Sequence, residues 1–441
     1  MNIFSEKLKY FWTPTKANFL WMTAGNGVYA ACQWGMLIVL AKLGSPEVVG
    51  QFALGMAITA PVILIANMQL RGVQATDSRN EYFFADYLAV RAVSTVGALM
   101  IILMILFWGH FSPTVFLVTV ILALAKSIES FSDVFYGLFQ QHEHMRFMAI
   151  SMMVKGIFSV TVLGIVLYYS ANLPWALVGL SCSWIAVLAG YDVVRARSLI
   201  KTVEGEARSA LFSSTLTSFF HRREMMRRIM MLAFPLGIVM GIISLNANIP
   251  RYAIEKFLGA RDLGIFAALV YTTVAVSMFI QALGQTVTPR MARCFANNDI
   301  QGFKSILRKM IVTNILIGLT GVLVIFIGGK WILSALYTHE YAAHSNLFMA
   351  LMVCAAAMGV ASAYGFAMTA TRQFKLQVPL FVIVLISTAL TSYLAIPHFQ
   401  LNGAALALFV SAVIQIIGSA LIVQYEINRN VVGREPIHAG L

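Results

Sequence analysis

Residues 310–328 have the sequence MIVTNILIGLTGVLVIFIG, a run without a charged side chain. As a helix rising about 1.5 Å per residue, this run would nearly cross a hydrocarbon core about 30 Å thick. Apolar runs of similar length recur along the whole 441-residue chain. The stretch therefore predicts one transmembrane helix, and its repetition predicts an all-α polytopic membrane protein.

The composition supports this class. Hydrophobic residues make up 59% of the chain and charged residues 11%, against roughly 45–50% and about 25% in soluble domains. The net charge of +13 does not indicate a nucleic-acid partner, because the basic residues collect in short loops between apolar runs, where they encode membrane topology.

Twelve apolar windows are long enough to cross a bilayer. They predict helices near residues 18–41, 48–71, 86–108, 113–139, 147–169, 173–195, 229–250, 260–288, 307–328, 344–370, 376–396 and 403–425.

The distribution of basic residues predicts the orientation of these spans. With the N-terminus in the cytoplasm, 23 of the 31 Lys and Arg residues fall in cytoplasmic segments, five fall outside and three lie within spans. Because Lys and Arg in loops favour the cytoplasmic side, we expect both termini to be cytoplasmic. The first eighteen residues carry lysines but no short apolar stretch with a cleavage site, so we expect no removed signal peptide.

The two halves of the chain share a motif. Residues 43–53, LGSPEVVGQFA, follow the first predicted helix, and residues 258–267, LGARDLGIFA, follow the seventh. Both contain LG, an acid and then G-x-F-A at the opening of the next helix. The repeat predicts a six-helix lobe at 1–195, a basic cytoplasmic linker at 196–228 and a second six-helix lobe at 229–441. Parallel repeats of this kind are common in transporters that work by alternating access.

These segments resemble the polysaccharide transporter family, which includes the O-antigen flippases. The match extends through residues 43–73 and 258–299, including Thr288-Pro289-Arg290-Met291-Ala292-Arg293. The resemblance belongs to the multidrug/oligosaccharidyl-lipid/polysaccharide exporter superfamily. It implies a V-shaped pair of lobes around a central cavity in the bacterial inner membrane, through which an undecaprenyl-pyrophosphate-linked oligosaccharide passes to the periplasmic leaflet for O-antigen, capsule or exopolysaccharide synthesis.

The resemblance also implies particular partners. We expect a lipid-linked oligosaccharide as substrate, membrane lipids around the spans, and a polysaccharide polymerase and export machinery as neighbours. The duplicated lobes are compatible with a functional monomer. Nothing in the chain indicates a cofactor or a metal.

Charged residues within spans are costly and mark functional candidates. Lys126, Glu129 and Asp133 are spaced i, i+3 and i+7, which places them on one helix face. The candidate substrate-binding cations are Arg71, Arg91, Lys126 and Lys155. Cationic donors suit a pyrophosphate, because Arg binds phosphate oxygens in a bidentate manner and Lys supplies a point charge.

Each candidate residue has an alternative interpretation. Arg71 and Arg91 could extend to the headgroups, and Lys126 with Glu129 could form a structural ion pair. Glu129 and Asp133 could couple transport to proton or sodium entry, or could only balance the charge of Lys126 and Lys155.

Two other functions remain open at this point. An ion-coupled multidrug extruder of the same superfamily is one alternative, although a basic cavity favours an anionic substrate. A membrane-embedded glycan polymerase is the second, but the predicted outside loops are short and no nucleophile–base pair or metal cluster is evident. The sequence thus favours a transporter over an enzyme.

Overall fold

The computed structural model describes residues 14–77, 81–204, 223–371 and 374–432. Within these ranges the chain forms helices joined by short connections and no strands. The prediction of an all-α protein is confirmed.

The helices of the first half are α1 (Pro14–Leu43), α2 (Pro46–Asn67), α3 (Leu70–Thr76), α4 (Phe84–Trp108), α5 (Pro113–Gln141), α6 (Met145–Ser170), α7 (Leu173–Val187) and, after a π-helical turn at Leu188–Asp192, α8 (Val193–Glu204). Those that follow are α9 (Arg223–Phe257), α10 (Ala260–Ala296), α11 (Ile300–Leu336), α12 (His339–Ala342), α13 (Ser345–Ala370) and a last helical stretch, Phe374–Val432.

The last stretch is two spans rather than one. Gln400 has φ 51° and ψ −135°, which is not a helical conformation. We therefore name its two arms α14 (374–399) and α15 (401–432). Eleven stretches of the described residues are long and apolar enough to cross a membrane, and the turn at Gln400 divides the last of them. Twelve spans result, which confirms the predicted number.

Local sequence signals fix where several of these helices begin. Pro46 and Pro113 occupy the first turns of α2 and α5, where a missing backbone N–H costs nothing. At the start of α5 the Ser112 hydroxyl accepts a hydrogen bond from the Val115 amide, and at the start of α11 Asp299 accepts one from the Gly302 amide at 2.8 Å. The predicted starts at 113, 173 and 260 coincide with the observed ones, while most helices extend beyond the predicted windows at one or both ends.

The chain forms two compact units, Met1–Ser244 and Leu245–Leu441, so the division falls inside α9. The predicted linker, 196–228, lies partly outside the described residues, since 205–222 are not described. Both of its described ends are helical. Ala196, Leu199 and Ile200 of α8 share a buried cluster with Met226 and Ile229 of α9, so these ends pack into the first unit. The predicted lobe boundaries themselves remain a prediction.

The internal repeat has the same local structure in both units. The first copy joins α1 to α2 and the second joins α9 to α10. Glu47 and Asp262 lie in the first turn of the helix that follows, where a negative charge suits the exposed amides. Phe52 and Phe266 of the G-x-F-A segments are both buried. The repeated sequence motif therefore marks equivalent helix starts and equivalent buried positions in the two units.

Replacing Gly403 with alanine tests the turn between α14 and α15. An added Cβ would lie 2.4 Å from the Ala395 carbonyl oxygen and 2.7 Å from the Ile396 nitrogen, and backbone atoms cannot move aside as a flexible side chain does. We expect Gly403→Ala to lower the free energy of unfolding by about 1–3 kcal/mol, measured as a lower thermal unfolding midpoint of the purified protein. Gly365→Ala is the control, because its Cβ would meet nothing within 4 Å. Equal midpoints for the two variants would contradict the assigned turn.

Candidate substrate site in the first unit

A cavity of about 390 Å³ lies within the first unit. Its walls come from α2, from the segment between α2 and α3, from α5 and from α9. The lining residues are Met56, Ala60, Ile63, Leu64, Asn67, Gln69, Lys126, Glu129, Ser130, Asp133 and Met240. The cavity thus has a polar face supplied mainly by α5 and an apolar face supplied mainly by α2.

The polar face is the charged face that the sequence predicts for α5. Lys126, Glu129 and Asp133 all line the cavity, together with Ser130. The Ser130 hydroxyl donates a hydrogen bond to the Lys126 carbonyl oxygen at 2.9 Å, so its hydrogen-bond partner lies on the same helix. The i, i+3, i+7 spacing therefore brings three charges to one opening, as helix geometry requires.

Asp133 binds two arginines from two other helices. The Nη2 of Arg91 on α4 donates to Oδ2 at 3.2 Å, and Nη1 of Arg71 on α3 lies 3.8 Å from Oδ1. Arg91 also donates to Asn67, and the Nε of Arg71 donates to Gln140 at 3.1 Å. The Arg91 side chain is fully buried, whereas Arg71 and Asp133 retain 32% and 29% of their side-chain exposure. Arg71 and Asp133 are therefore accessible, but of these three residues only Asp133 lines the cavity. Arg91 holds Asp133 from behind.

Lys126 forms an ion pair with Glu129. Its Nζ lies 2.7 Å from Oε2 of Glu129, and the Tyr29 hydroxyl of α1 donates to the other carboxylate oxygen. The ammonium also lies 5.4 Å from the ring centre of Trp184 on α7, which adds a cation–π attraction. Both charged side chains remain partly exposed, at 18% and 28%. The pair faces the cavity while it ties α5 to α1 and α7.

Lys155 is not at the cavity. It is 1% exposed, and its nearest carboxylate is Asp192 at 3.9 Å, which is fully buried in the π-helical turn before α8. The ammonium also donates to the Tyr136 hydroxyl at 3.1 Å, and that hydroxyl lies 2.9 Å from the Ser151 oxygen. Lys155 therefore belongs to a buried network of α5, α6 and the π turn, behind the cavity wall.

The second span is broken where it borders the cavity. α2 ends at Asn67 and α3 begins at Leu70; Met68 and Gln69 between them have φ of 49° and 51°. Such positive φ values are unusual for residues other than glycine. Non-helical backbone at membrane depth is tolerated where it is buried in protein or lines a cavity. Gly237 of α9 contacts this break, since a Cβ there would lie 2.4 Å from the Ile65 carbonyl oxygen.

Several residues of the site do not follow from the sequence reasoning. Asp192, Tyr29 and Asn67 are partners of the predicted cations, and Gln69 lines the cavity. Asp192 was detectable in principle, because Lys155 had no partner among its neighbours and Asp192 lies within the predicted sixth span. The others carry no comparable signal, because single Tyr, Asn and Gln residues occur at many other positions in the spans and at their ends.

The fold is that of multi-span membrane transporters. The lipid II flippase MurJ in an inward closed conformation has a TM-score of 0.67 to this chain at 12% identity, with 93% of this chain and 90% of that chain covered. An inward-facing multidrug resistance MATE family transporter of the MOP superfamily has a TM-score of 0.64 at 13% identity, with 92% and 94% covered.

The chain belongs to the polysaccharide biosynthesis protein family, whose model matches residues 15–295. It is also similar to the capsular polysaccharide biosynthesis protein CapF of Staphylococcus aureus, at 27% identity over 404 residues, with 91% of this chain and 97% of CapF covered. The resemblance inferred from residues 43–73 and 258–299 is therefore confirmed at the level of the family and the fold. The multi-pass membrane character is confirmed as well.

The buried pair of Lys155 and Asp192 can be tested by a double-mutant cycle. We expect Lys155→Met to lower the free energy of unfolding by about 3–5 kcal/mol, because it leaves Asp192 as an uncompensated buried charge. The double variant Lys155→Met/Asp192→Leu should recover most of the loss, since both charges are then absent. Thermal or denaturant unfolding of the four proteins measures the coupling. If the double variant loses as much as the sum of the two single variants, the two residues are not coupled and the assignment is wrong.

Proposed function

We propose that this protein is a flippase of the bacterial inner membrane. It moves undecaprenyl-pyrophosphate-linked oligosaccharide units from the cytoplasmic to the periplasmic leaflet by alternating access, with both termini in the cytoplasm. The family membership supports a role in polysaccharide biosynthesis, and the fold likeness to transporters supports translocation rather than bond-forming chemistry. The direction and the substrate are the parts of the proposal that require a test.

The observation that carries the proposal is the charge balance of the cavity-lining residues together with the two arginines that pair with Asp133. Arg71, Arg91 and Lys126 supply three positive charges, and Glu129 and Asp133 supply two negative charges. Two guanidiniums share the single carboxylate of Asp133, and the Nε of Arg91 has no hydrogen-bond partner among the described residues. The site therefore retains unmatched positive charge, which an anionic headgroup would neutralise.

Accessibility assigns different roles to the four predicted cations. Arg71 and Lys126 are partly exposed, so we assign them direct contact with the diphosphate. Arg91 and Lys155 are buried, so we assign them positioning roles, Arg91 by holding Asp133 and Lys155 by holding the wall behind α5. A diphosphate can replace Asp133 as the ionic partner of Arg71, and it can accept charge-assisted hydrogen bonds from the guanidinium.

The uncharged lining suits the rest of the headgroup. Asn67 and Gln69 present amide groups at the break in the second span, and amides can both donate to and accept from sugar hydroxyls. A volume of about 390 Å³ lies within the range of small-molecule sites, roughly 300–1,000 Å³. We therefore assign the sugar that adjoins the diphosphate to this end of the cavity.

We assign charge balance, rather than ion coupling, to Glu129. Its carboxylate already accepts hydrogen bonds from Lys126 and from Tyr29, so both oxygens have donors without an added ion. Glu129→Gln should therefore weaken transport but leave its dependence on a proton or sodium gradient unchanged. Transport into proteoliposomes, measured with each gradient imposed or collapsed, separates these roles. If the wild type responds to a gradient and Glu129→Gln transports at the same rate with and without that gradient, ion coupling is assigned to Glu129 instead.

Removal of either accessible cation tests the substrate assignment. We expect Arg71→Ala and Lys126→Ala each to slow translocation about tenfold or more, because each loses a charge-assisted contact, while membrane levels stay normal. The measurement is complementation of a deletion strain, with surface polysaccharide and undecaprenyl-linked repeat units quantified together. The deletion strain should lose surface polysaccharide and accumulate the lipid-linked units on the cytoplasmic side.

The matched control is Arg227→Ala, which removes an exposed cation of the same unit outside the cavity. It should complement fully. If the deletion strain keeps surface polysaccharide and accumulates no lipid-linked unit in a host without a second flippase, the flippase proposal fails. If Arg71→Ala and Lys126→Ala both complement as well as Arg227→Ala, the proposed site fails although the function stands.

A further inference from the structure

A second cavity of about 750 Å³ lies within the second unit. It is a groove between α11 and α15, with Tyr364 of α13 also at its wall. Its floor consists of buried apolar side chains, including Leu307 and Val423, and its rim includes Val312 and Leu421, which are exposed. The groove is therefore mainly apolar along its length and is open at the surface of the second unit.

One end of this groove is cationic. Lys304 and Arg308 line it and are spaced i, i+4 on α11, so they lie on the same helix face. Both side chains are exposed, and neither forms an ion pair with a carboxylate of the described residues. In the first unit, Arg71, Arg91 and Lys126 each pair with Glu129 or Asp133, so only part of their charge is unmatched. The groove thus presents unmatched positive charge beside an apolar channel.

The length of the groove matches one leaflet. From Lys304 to Val312 the rise along α11 is about 12 Å, and from Ile416 to Ile427 along α15 it is about 16 Å. Half of a hydrocarbon core of about 30 Å is about 15 Å. Lys304 and Arg308 lie near the beginning of α11, and the groove residues of α15 lie towards its end. The cationic end is therefore at a membrane–water boundary, on the side that the charge distribution predicts to be cytoplasmic.

We propose that this groove binds an anionic glycerophospholipid of the inner leaflet. Lys304 and Arg308 bind its phosphate, and one acyl chain lies along Leu307, Ile311 and Ile417. Basic pockets between spans at the cytoplasmic face are suited to anionic headgroups. An acyl chain that ends within one leaflet fits the length of this groove, whereas a polyprenyl tail would extend well beyond it. The inference concerns a lipid bound outside the first-unit cavity, so it does not depend on the transported substrate.

Native mass spectrometry of the delipidated full-length protein tests the proposal, with phosphatidylglycerol and phosphatidylcholine as probes. The wild type should bind phosphatidylglycerol more tightly than phosphatidylcholine. Lys304→Ala/Arg308→Ala should weaken phosphatidylglycerol binding about thirtyfold, since each of the two cations attracts the anionic headgroup. It should weaken phosphatidylcholine binding by a much smaller factor, because the choline cation already offsets the charge of that phosphate. Ala420→Trp should weaken the binding of both lipids, because it fills the apolar channel.

Two matched variants complete the experiment. Lys330→Ala removes an exposed cation at the other end of α11, and Leu406→Trp enlarges an exposed side chain of α15 outside the groove; both should bind lipid as the wild type does. Equal affinity of the wild type for the two lipids, or an unchanged Lys304→Ala/Arg308→Ala variant, would overturn the proposal. Displacement of phosphatidylglycerol by an equal concentration of undecaprenyl phosphate would overturn it in favour of the substrate tail.

Discussion

The carboxylate of Asp133 forms ion pairs with two guanidiniums, and the arrangement of the first unit depends on this interaction. An ionised group inside a membrane span is costly unless it is paired or hydrated. Asp133 belongs to α5, Arg91 to α4 and Arg71 to α3, so one carboxylate joins three helices. It also fixes Asn67 through Arg91, and Asn67 is the last residue before the break in the second span. The ion pairs of Asp133 thus connect the break between α2 and α3 to the wall of the cavity.

The charged side chains of this unit form two groups that differ in their access to water. Lys155 and Asp192 are sealed inside the protein, where the loss of either partner would leave the other as an uncompensated buried charge. Arg71, Lys126, Glu129 and Asp133 retain partial exposure, so an incoming anion can compete for the cations without first paying the full cost of desolvating them. The first group lies behind the cavity wall, whereas the second includes the cations that we propose to contact the substrate.

The sequence predicts the parts of this fold that depend on hydropathy, on the repeated motif and on helical periodicity. The twelve spans follow from apolar runs, the repeat follows from G-x-F-A segments whose phenylalanines are buried in both units, and the charged face of α5 follows from i, i+3, i+7 spacing. Pairing across the chain is less predictable, because Asp192 lies far from Lys155 in sequence and meets it only through the π turn. The break at Met68 and Gln69 contains neither glycine nor proline, so no local signal marks it. The ends of most helices exceed the apolar windows, because hydropathy does not detect the polar turns by which a helix continues past the membrane.

The turn between α14 and α15 has a consequence for how the protein enters the bilayer. A single non-helical residue, Gln400, separates two arms that together run from Phe374 to Val432. No hydrophilic loop of several residues exists there to be translocated or to pause between spans. Because the connection is so short, we expect the two arms to enter the bilayer together as one helical hairpin.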